Sequence, residues 1–249
     1  MKNANLESNP WKQSDDRLVV SSDQQTKNTR LMINLVGLIL TWSAWFWLTN
    51  RTLSNNLNLG IAIAGVLILI PLIFMGRWIL DRQPTIQRAV WVTAIIHYLT
   101  AIFLGSALIA ATRFAQAVPD WASPLPAWLG LLLMVLSGLF LSGGAIHLLS
   151  KGLGLPIGTE LTRQVVTNWI YAWTRNPIVL SSLAFLVGIG LWLESGSFLI
   201  WVLALVFPAM FVFLLVFEER ELEIRFGEDY LEYKQRTPRL WPRRPKKDA

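Results

Sequence analysis

Apolar runs of about 20 residues recur along the chain, and each is long enough to cross the hydrocarbon core of a bilayer as a helix. They fall at Leu31–Leu48, Leu57–Leu80, Ala89–Thr112, Ala127–Ser150, Pro177–Leu193 and Ser197–Phe217. Pro71 predicts a kink in the second run, and the sixth contains Pro208. Only Glu194, Ser195 and Gly196 separate the fifth run from the sixth, so these two form an antiparallel hairpin. After Phe217 the pattern turns abruptly charged and amphipathic. The expected architecture is therefore all-α: a polytopic membrane protein of about six transmembrane helices, followed by a C-terminal amphipathic helix on the cytoplasmic side. Residues 1–29 are polar and mixed in charge. They lack an apolar core behind a basic start, which argues against a cleavable signal peptide and for a disordered cytoplasmic tail.

Composition sharpens this. Hydrophobic residues make up 53% of the 249 positions, charged ones 15%, and mean hydropathy is +0.45. Cysteine is absent, which excludes a disulfide framework, a thiolate zinc site and a Cys nucleophile. Histidine occurs only at His97 and His147, so no metal site is expected. The net charge of +6 would suggest a nucleic-acid partner in a soluble protein. Here topology accounts for it. With the N-terminus inside, 20 of the 22 lysines and arginines fall on the cytoplasmic side, Arg51 and Arg113 being the exceptions. Both termini are thus expected in the cytoplasm, with no nucleic acid involved. The basic tail at 244–249 suits anionic headgroups or plain solvation.

Two long cytoplasmic stretches, 151–176 and 218–249, flank the hairpin and must lie close together. They hold three of the four tyrosines: Tyr171, Tyr230 and Tyr233. In the first stretch Asn176 suits an N-cap and Pro177 the first helical turn. Arg175 then reads either as an interfacial anchor within an aromatic belt or as one side of an anion site at the helix start. In the second, Glu218 and Glu219 emerge at the membrane edge, where a carboxylate pair is costly without a cationic or hydroxyl-rich partner. Glu221 and Arg225 are spaced for a helical ion pair, and Gly227 marks a helix stop. His147 suits either a proton acceptor or an interfacial histidine bonded to backbone. His97, inside a span, reads first as one side of a helix-to-helix hydrogen bond. Gly130, Gly138, Gly143, Gly144, Gly188 and Gly190 suit close helix packing.

Read together, the two stretches resemble the isoprenylcysteine carboxyl methyltransferase and phospholipid methyltransferase superfamily of integral membrane enzymes. The first block is Val165-Val166-Thr167-Asn168-Trp169-Ile170-Tyr171 followed by Arg175-Asn176-Pro177. The second is Glu218-Glu219, Leu222, Phe226-Gly227, Tyr230, Tyr233 and Pro238, with Pro242 closing. Gly154-Leu155-Pro156 is similar to the family's approach to the first block. The resemblance covers roughly residues 125–243 and leaves 30–124 as three added spans. It implies a methyltransferase-like domain that binds S-adenosylmethionine and methylates a lipid or lipid-linked acceptor at the cytoplasmic face. It further implies that Tyr171, Arg175, Asn176, Pro177, Glu218, Glu219, Tyr230 and Tyr233 bind the cofactor, with Arg175 and Glu219 central to catalysis. Arg175 suits the cofactor carboxylate, Glu218 and Glu219 its ammonium or ribose hydroxyls, and Tyr171, Tyr230 and Trp173 its adenine or sulfonium face.

Two positions depart from the family pattern. Trp169 stands where the family has glycine, which would narrow the pocket, and Val179 stands where a tyrosine is frequent. Two other readings compete: an NADPH-dependent membrane reductase of similar C-terminal layout, and a non-catalytic protein that keeps the fold. Extra Arg or Lys around the pocket would favour the reductase, whereas Glu218-Glu219 favours methyl transfer.

Overall fold

A computed structural model describes residues 10–118, 125–152, 154, 158–159 and 161–244, with side chains from Lys27 onward. Among the described residues there is helix and no strand. The helices are α1 (Pro10–Thr49), α2 (Asn55–Leu67), α3 (Leu69–Arg82), α4 (Ile86–Ala117), α5 (Ala127–Lys151), α6 (Pro177–Trp192), α7 (Gly196–Trp201), α8 (Phe207–Val212), α9 (Glu219–Phe226) and α10 (Glu228–Arg236). Five helical stretches are long and apolar enough to cross a membrane: Lys27–Thr49, α2 with α3, α4, α5, and Gly196–Phe226; α6 is a shorter apolar helix. The expected segments all appear. Helix α1 starts at Pro10, so the boundary expected at residue 29 falls inside a helix whose membrane-length part begins at Lys27. Residues 1–9 of the expected tail, Leu155 and Pro156, and 245–249 of the basic tail lie outside the described residues.

Proline chemistry explains where the spans break. Pro71 carries no N–H to donate to the Leu67 carbonyl one turn earlier. The second span accordingly breaks at Ile68, between α2 and α3, one turn before the proline. In the last span Pro208 sits in α8 between two π-helical turns, Val202–Val206 and Phe213–Glu218. Each π turn adds a residue to the local register, and such turns occur disproportionately at functional sites.

The last span is the centre of the bundle. Its Phe198, Val202 and Val206 pack with Ala62 and Val66 of α2 and with Ala107 and Ala110 of α4. Lower down, Phe213, Leu214 and Phe217 pack with Leu69, Ile73 and Leu80 of α3 and with Val92 and Ile96 of α4. Trp201 donates its indole N–H to the Ala62 carbonyl at 2.8 Å, which satisfies its only polar atom inside the core. Helix α5 lies along α6, and a Cβ on Gly130 would meet the Trp192 nitrogen at 2.4 Å, so only glycine allows that approach. Large apolar side chains such as Trp42, Phe46, Trp128, Leu139, Ile146 and Leu203 are exposed around the outside, as a lipid-facing surface requires.

Candidate functional site

Two segments distant in sequence meet at one end of the bundle. The Arg175 amide donates to the Pro238 carbonyl at 2.9 Å, and the Arg243 amide donates to the Trp173 carbonyl at 3.0 Å. The Arg239 carbonyl accepts from Thr174 Oγ1 at 3.1 Å and from Asn176 Nδ2 at 2.9 Å. Tyr233 donates its O–H to the Tyr171 carbonyl at 2.6 Å. These bonds close the chain after α10 onto the turn before α6.

A buried ion cluster holds the same junction. Arg175 Nη1 lies 2.9 Å from Glu219 Oε1 and donates to the Tyr230 oxygen at 3.0 Å. Glu219 also accepts from Arg239, through both oxygens at 2.6 and 3.0 Å, and pairs with Lys234 at 3.0 Å. Arg225 and Glu221 form the expected pair at 2.6 Å, and Arg225 also donates to the Thr162 carbonyl. Burial alone would lower the Lys234 ammonium, but hydrogen bonds to Glu223 and Glu219 outweigh it and hold it above its ordinary value. Burial pushes the phenols of Tyr171, Tyr230 and Tyr233 well above the ordinary tyrosine range, so each remains an O–H group at neutral pH.

Beside this cluster lies an open cleft of about 140 Å³. Tyr171 and Arg175 line it from the turn before α6, Glu218, Glu221 and Arg225 from the last span, Tyr230 and Tyr233 from α10, and Thr93 and His97 from α4. Its buried polar atoms without a partner include Arg175 Nε, Glu218 Oε2 and His97 Nδ1. The second π turn brings Phe213, Phe217 and Glu218 to this wall.

The expected residues sort into two groups. Tyr171, Arg175, Glu218, Tyr230 and Tyr233 line the cleft. Glu219, Asn176 and Pro177 do not line it. Glu219 is buried behind, among its cations, and Pro177 opens α6. Asn176 caps no helix with its side chain, because its amide is drawn across to Arg239. Trp169 does not narrow the cleft. Its indole is half exposed, and its ring tip would lie 2.7 Å from a Cβ on Gly143. Its backbone, however, keeps the left-handed conformation that glycine favours, φ 53°. Val179 packs in the core. His147 bonds a side chain rather than backbone: its Nε2 lies 2.6 Å from Asn168 Oδ1. For His97 the expected helix-to-helix bond is replaced by an unpartnered Nδ1 in the cleft wall. Arg239 and Thr93 went unnoticed in the sequence, since neither sits in a motif beyond the prolines flanking Arg239.

Comparison with known families is decisive at this point. Residues 125–229 match the family model for phospholipid methyltransferase, a family of the isoprenylcysteine carboxyl and phospholipid methyltransferase superfamily of membrane enzymes. Over this segment, less than half of the chain, the protein is similar to that family. No curated protein and no solved structure matches the chain significantly.

The matched segment thus supplies one wall of the cleft, and helices outside it supply another. Asn34 of α1 also fastens the loop that closes the domain's first block. Its Oδ1 accepts from the Thr159 amide at 3.0 Å and from Tyr98 at 3.2 Å, and its Nδ2 donates to Thr159 Oγ1 at 2.9 Å. Behind the same turn, between α5 and α6, lies an apolar groove of about 450 Å³ lined by Leu133, Leu136, Phe140, Trp173, Leu180 and Ala184. The turn 170–177 separates cleft from groove: Tyr171 and Arg175 face the former, Ile170, Trp173 and Pro177 the latter.

Proposed function

We propose that this protein transfers a methyl group from S-adenosylmethionine to a lipid or lipid-linked acceptor at the cytoplasmic face of its membrane. The observation that carries this is the pair of unpartnered buried atoms, Arg175 Nε and Glu218 Oε2, in one cleft walled by both sequence blocks. Buried polar groups are normally satisfied, so an orphaned guanidinium N–H and an orphaned carboxyl oxygen in one cleft fit a ligand that brings both an anionic group and a hydrogen-bond donor.

The residues fit the cofactor. Arg175 would hold its carboxylate, Glu218 its ammonium or ribose hydroxyls, and Tyr171 and Tyr230 would offer ring faces to adenine or the sulfonium. When bound, the cofactor supplies an electrophilic methyl group on a sulfonium. The chain's own contribution is alignment and exclusion of water, since a direct displacement needs no covalent nucleophile. Glu219 holds Arg175 in place, and Tyr230 fixes the guanidinium from the other side. The apolar groove between α5 and α6 suits the acceptor's hydrocarbon chain. A nicotinamide dinucleotide phosphate fits less well: its 2′-phosphate would need a cation beyond Arg175, and the other arginine lining the cleft, Arg225, is paired with Glu221.

Calorimetric titration of the full-length protein in detergent tests the reading. Micromolar-range binding of S-adenosylmethionine, absent for NADPH, is the expected result. Binding of NADPH in its place, or of neither, would overturn it.

A further inference from the structure

The last span reaches the cleft through a turn that its own sequence does not explain. Phe213–Glu218 is π-helical, so it holds one residue more than an α-helical turn would. One residue of register rotates the end of the turn by about 100° on an α-helix. Whether this turn winds as π or as α therefore decides which way Glu218 points. In the π register Phe213, Phe217 and Glu218 all line the cleft. Pro208 accounts for the earlier π turn, Val202–Val206, because it has no N–H to offer the Ala204 carbonyl within that turn. It does not reach the later one. None of the residues from Phe213 to Glu218 is a glycine or a proline, so the local sequence supplies no break.

The later turn is held from outside, by α3. Arg77 Nη1 donates to the Val216 carbonyl, inside the turn, at 3.1 Å. A backbone carbonyl that a guanidinium takes from another helix no longer depends on a partner in its own, which frees this turn from α-helical pairing. The next residue back on α3, Gly76, makes room for the Phe217 ring, since a Cβ there would lie 2.9 Å from Phe217 Cε2. The arginine is braced in turn. Its Nε donates to Asp81 at 2.5 Å, and the other oxygen of Asp81 accepts from Arg220 Nε at 2.8 Å. Arg220 lies just beyond Glu218, so α3 grips the chain on both sides of that residue.

We propose that Arg77 is a positioning residue: it holds the Phe213–Glu218 turn in its π register and so aims Glu218 into the cleft. Its effect on ligand binding rests on the reading of the cleft as the S-adenosylmethionine site; its effect on the aim of residue 218 does not. The spans that precede the matched segment are then part of the site, because α3 sets the geometry of a wall to which it contributes no lining side chain.

The chain has no cysteine, so a thiol introduced at position 218 is its only one. In full-length protein in detergent, Glu218→Cys should react with a small water-soluble methanethiosulfonate. Adding Arg77→Met should slow that reaction at least about tenfold, whereas unfolding would speed it. Arg77→Lys, which keeps a cationic donor, should restore most of the rate. With Glu218 intact, Arg77→Met should weaken S-adenosylmethionine binding about fivefold. In a Glu218→Gln background it should cost nothing further, since both changes then act through one contact. No reaction of Glu218→Cys, a rate that Arg77→Met leaves unchanged or raises, or additive losses of affinity would each overturn the assignment. Should Arg77→Met slow the labelling while no form of the protein binds S-adenosylmethionine, the positioning role stands and the cofactor reading falls. Should S-adenosylmethionine bind and the labelling ignore Arg77, the reverse holds.

Discussion

Arg175 Nη1 lies 2.9 Å from Glu219 Oε1, and neither side chain exposes more than 7% of its surface. A pair this deep contributes little by forming, because both charges had to leave water, but removing one partner strands the other. Glu219→Ala leaves Arg175 buried and uncompensated, while Arg239 and Lys234, about a third exposed, can turn outward. The variant should lose about 3 kcal/mol of stability, seen as a lower melting temperature of the full-length protein in detergent. Arg239→Ala should lose about 1 kcal/mol. A wild-type melt for Glu219→Ala would show that the cluster does not hold the junction.

Glu218, one residue earlier, should behave in the opposite sense. Its Oε2 has no partner, and an unpaired carboxylate in the interior is a cost that the fold carries for a ligand. Glu218→Gln keeps the shape and removes the ionisable carboxyl. It should melt at or above the wild-type temperature and bind S-adenosylmethionine about tenfold more weakly. A destabilised variant with unchanged cofactor affinity would reverse the roles assigned to the two glutamates.

How much of this was legible beforehand depends on the range of the physics involved. The spans, the tight hairpin and the break near Pro71 follow from local properties, namely run length, loop length and a missing N–H, so the sequence displays them directly. That 151–176 and 218–249 meet followed from topology alone. The division of labour between Glu218 and Glu219 did not. It depends on a π turn at Phe213–Glu218 and on Arg239, a residue with no signature of its own. Thr93 was equally hidden, because on α4 it looks like an ordinary intramembrane polar residue. Asn176 misled because its side chain has a choice of partners, and the Arg239 carbonyl across the junction outcompetes the amides of its own helix.

Trp169 offers a test of backbone strain. It holds φ 53°, where a side chain costs about 1 kcal/mol relative to glycine. Against this, its indole rests on Gly143 and lies 5.3 Å from the His147 ring. Trp169→Gly should therefore melt within about 1 kcal/mol of wild type, the relief of strain offsetting the lost contact. Trp169→Val loses the contact and keeps the strain with a β-branched side chain, so it should be the less stable of the two by at least about 1 kcal/mol. If valine equals glycine, the left-handed turn is not what this position demands.

The groove between α5 and α6 gives the last prediction. Ala184 is a small side chain in its wall, facing Leu133, Leu136 and Phe140 across open space. Ala184→Phe would fill much of that space without touching the cleft, since the 170–177 turn stands between them. Overpacking a filled core costs about 1–3 kcal/mol, whereas a ring added to an open groove should cost much less. If the groove seats the acceptor's hydrocarbon chain, the variant should lose at least about tenfold in methylation of a long-chain lipid, since a blocked chain site forfeits the burial of several methylenes. Transfer to a dihexanoyl analogue should change far less, because most of its chain never reaches the groove. Affinity for S-adenosylmethionine should not move. Equal losses on long and short chains would mean that the substitution acts on the cleft through the turn, and that the hydrocarbon chain lies elsewhere.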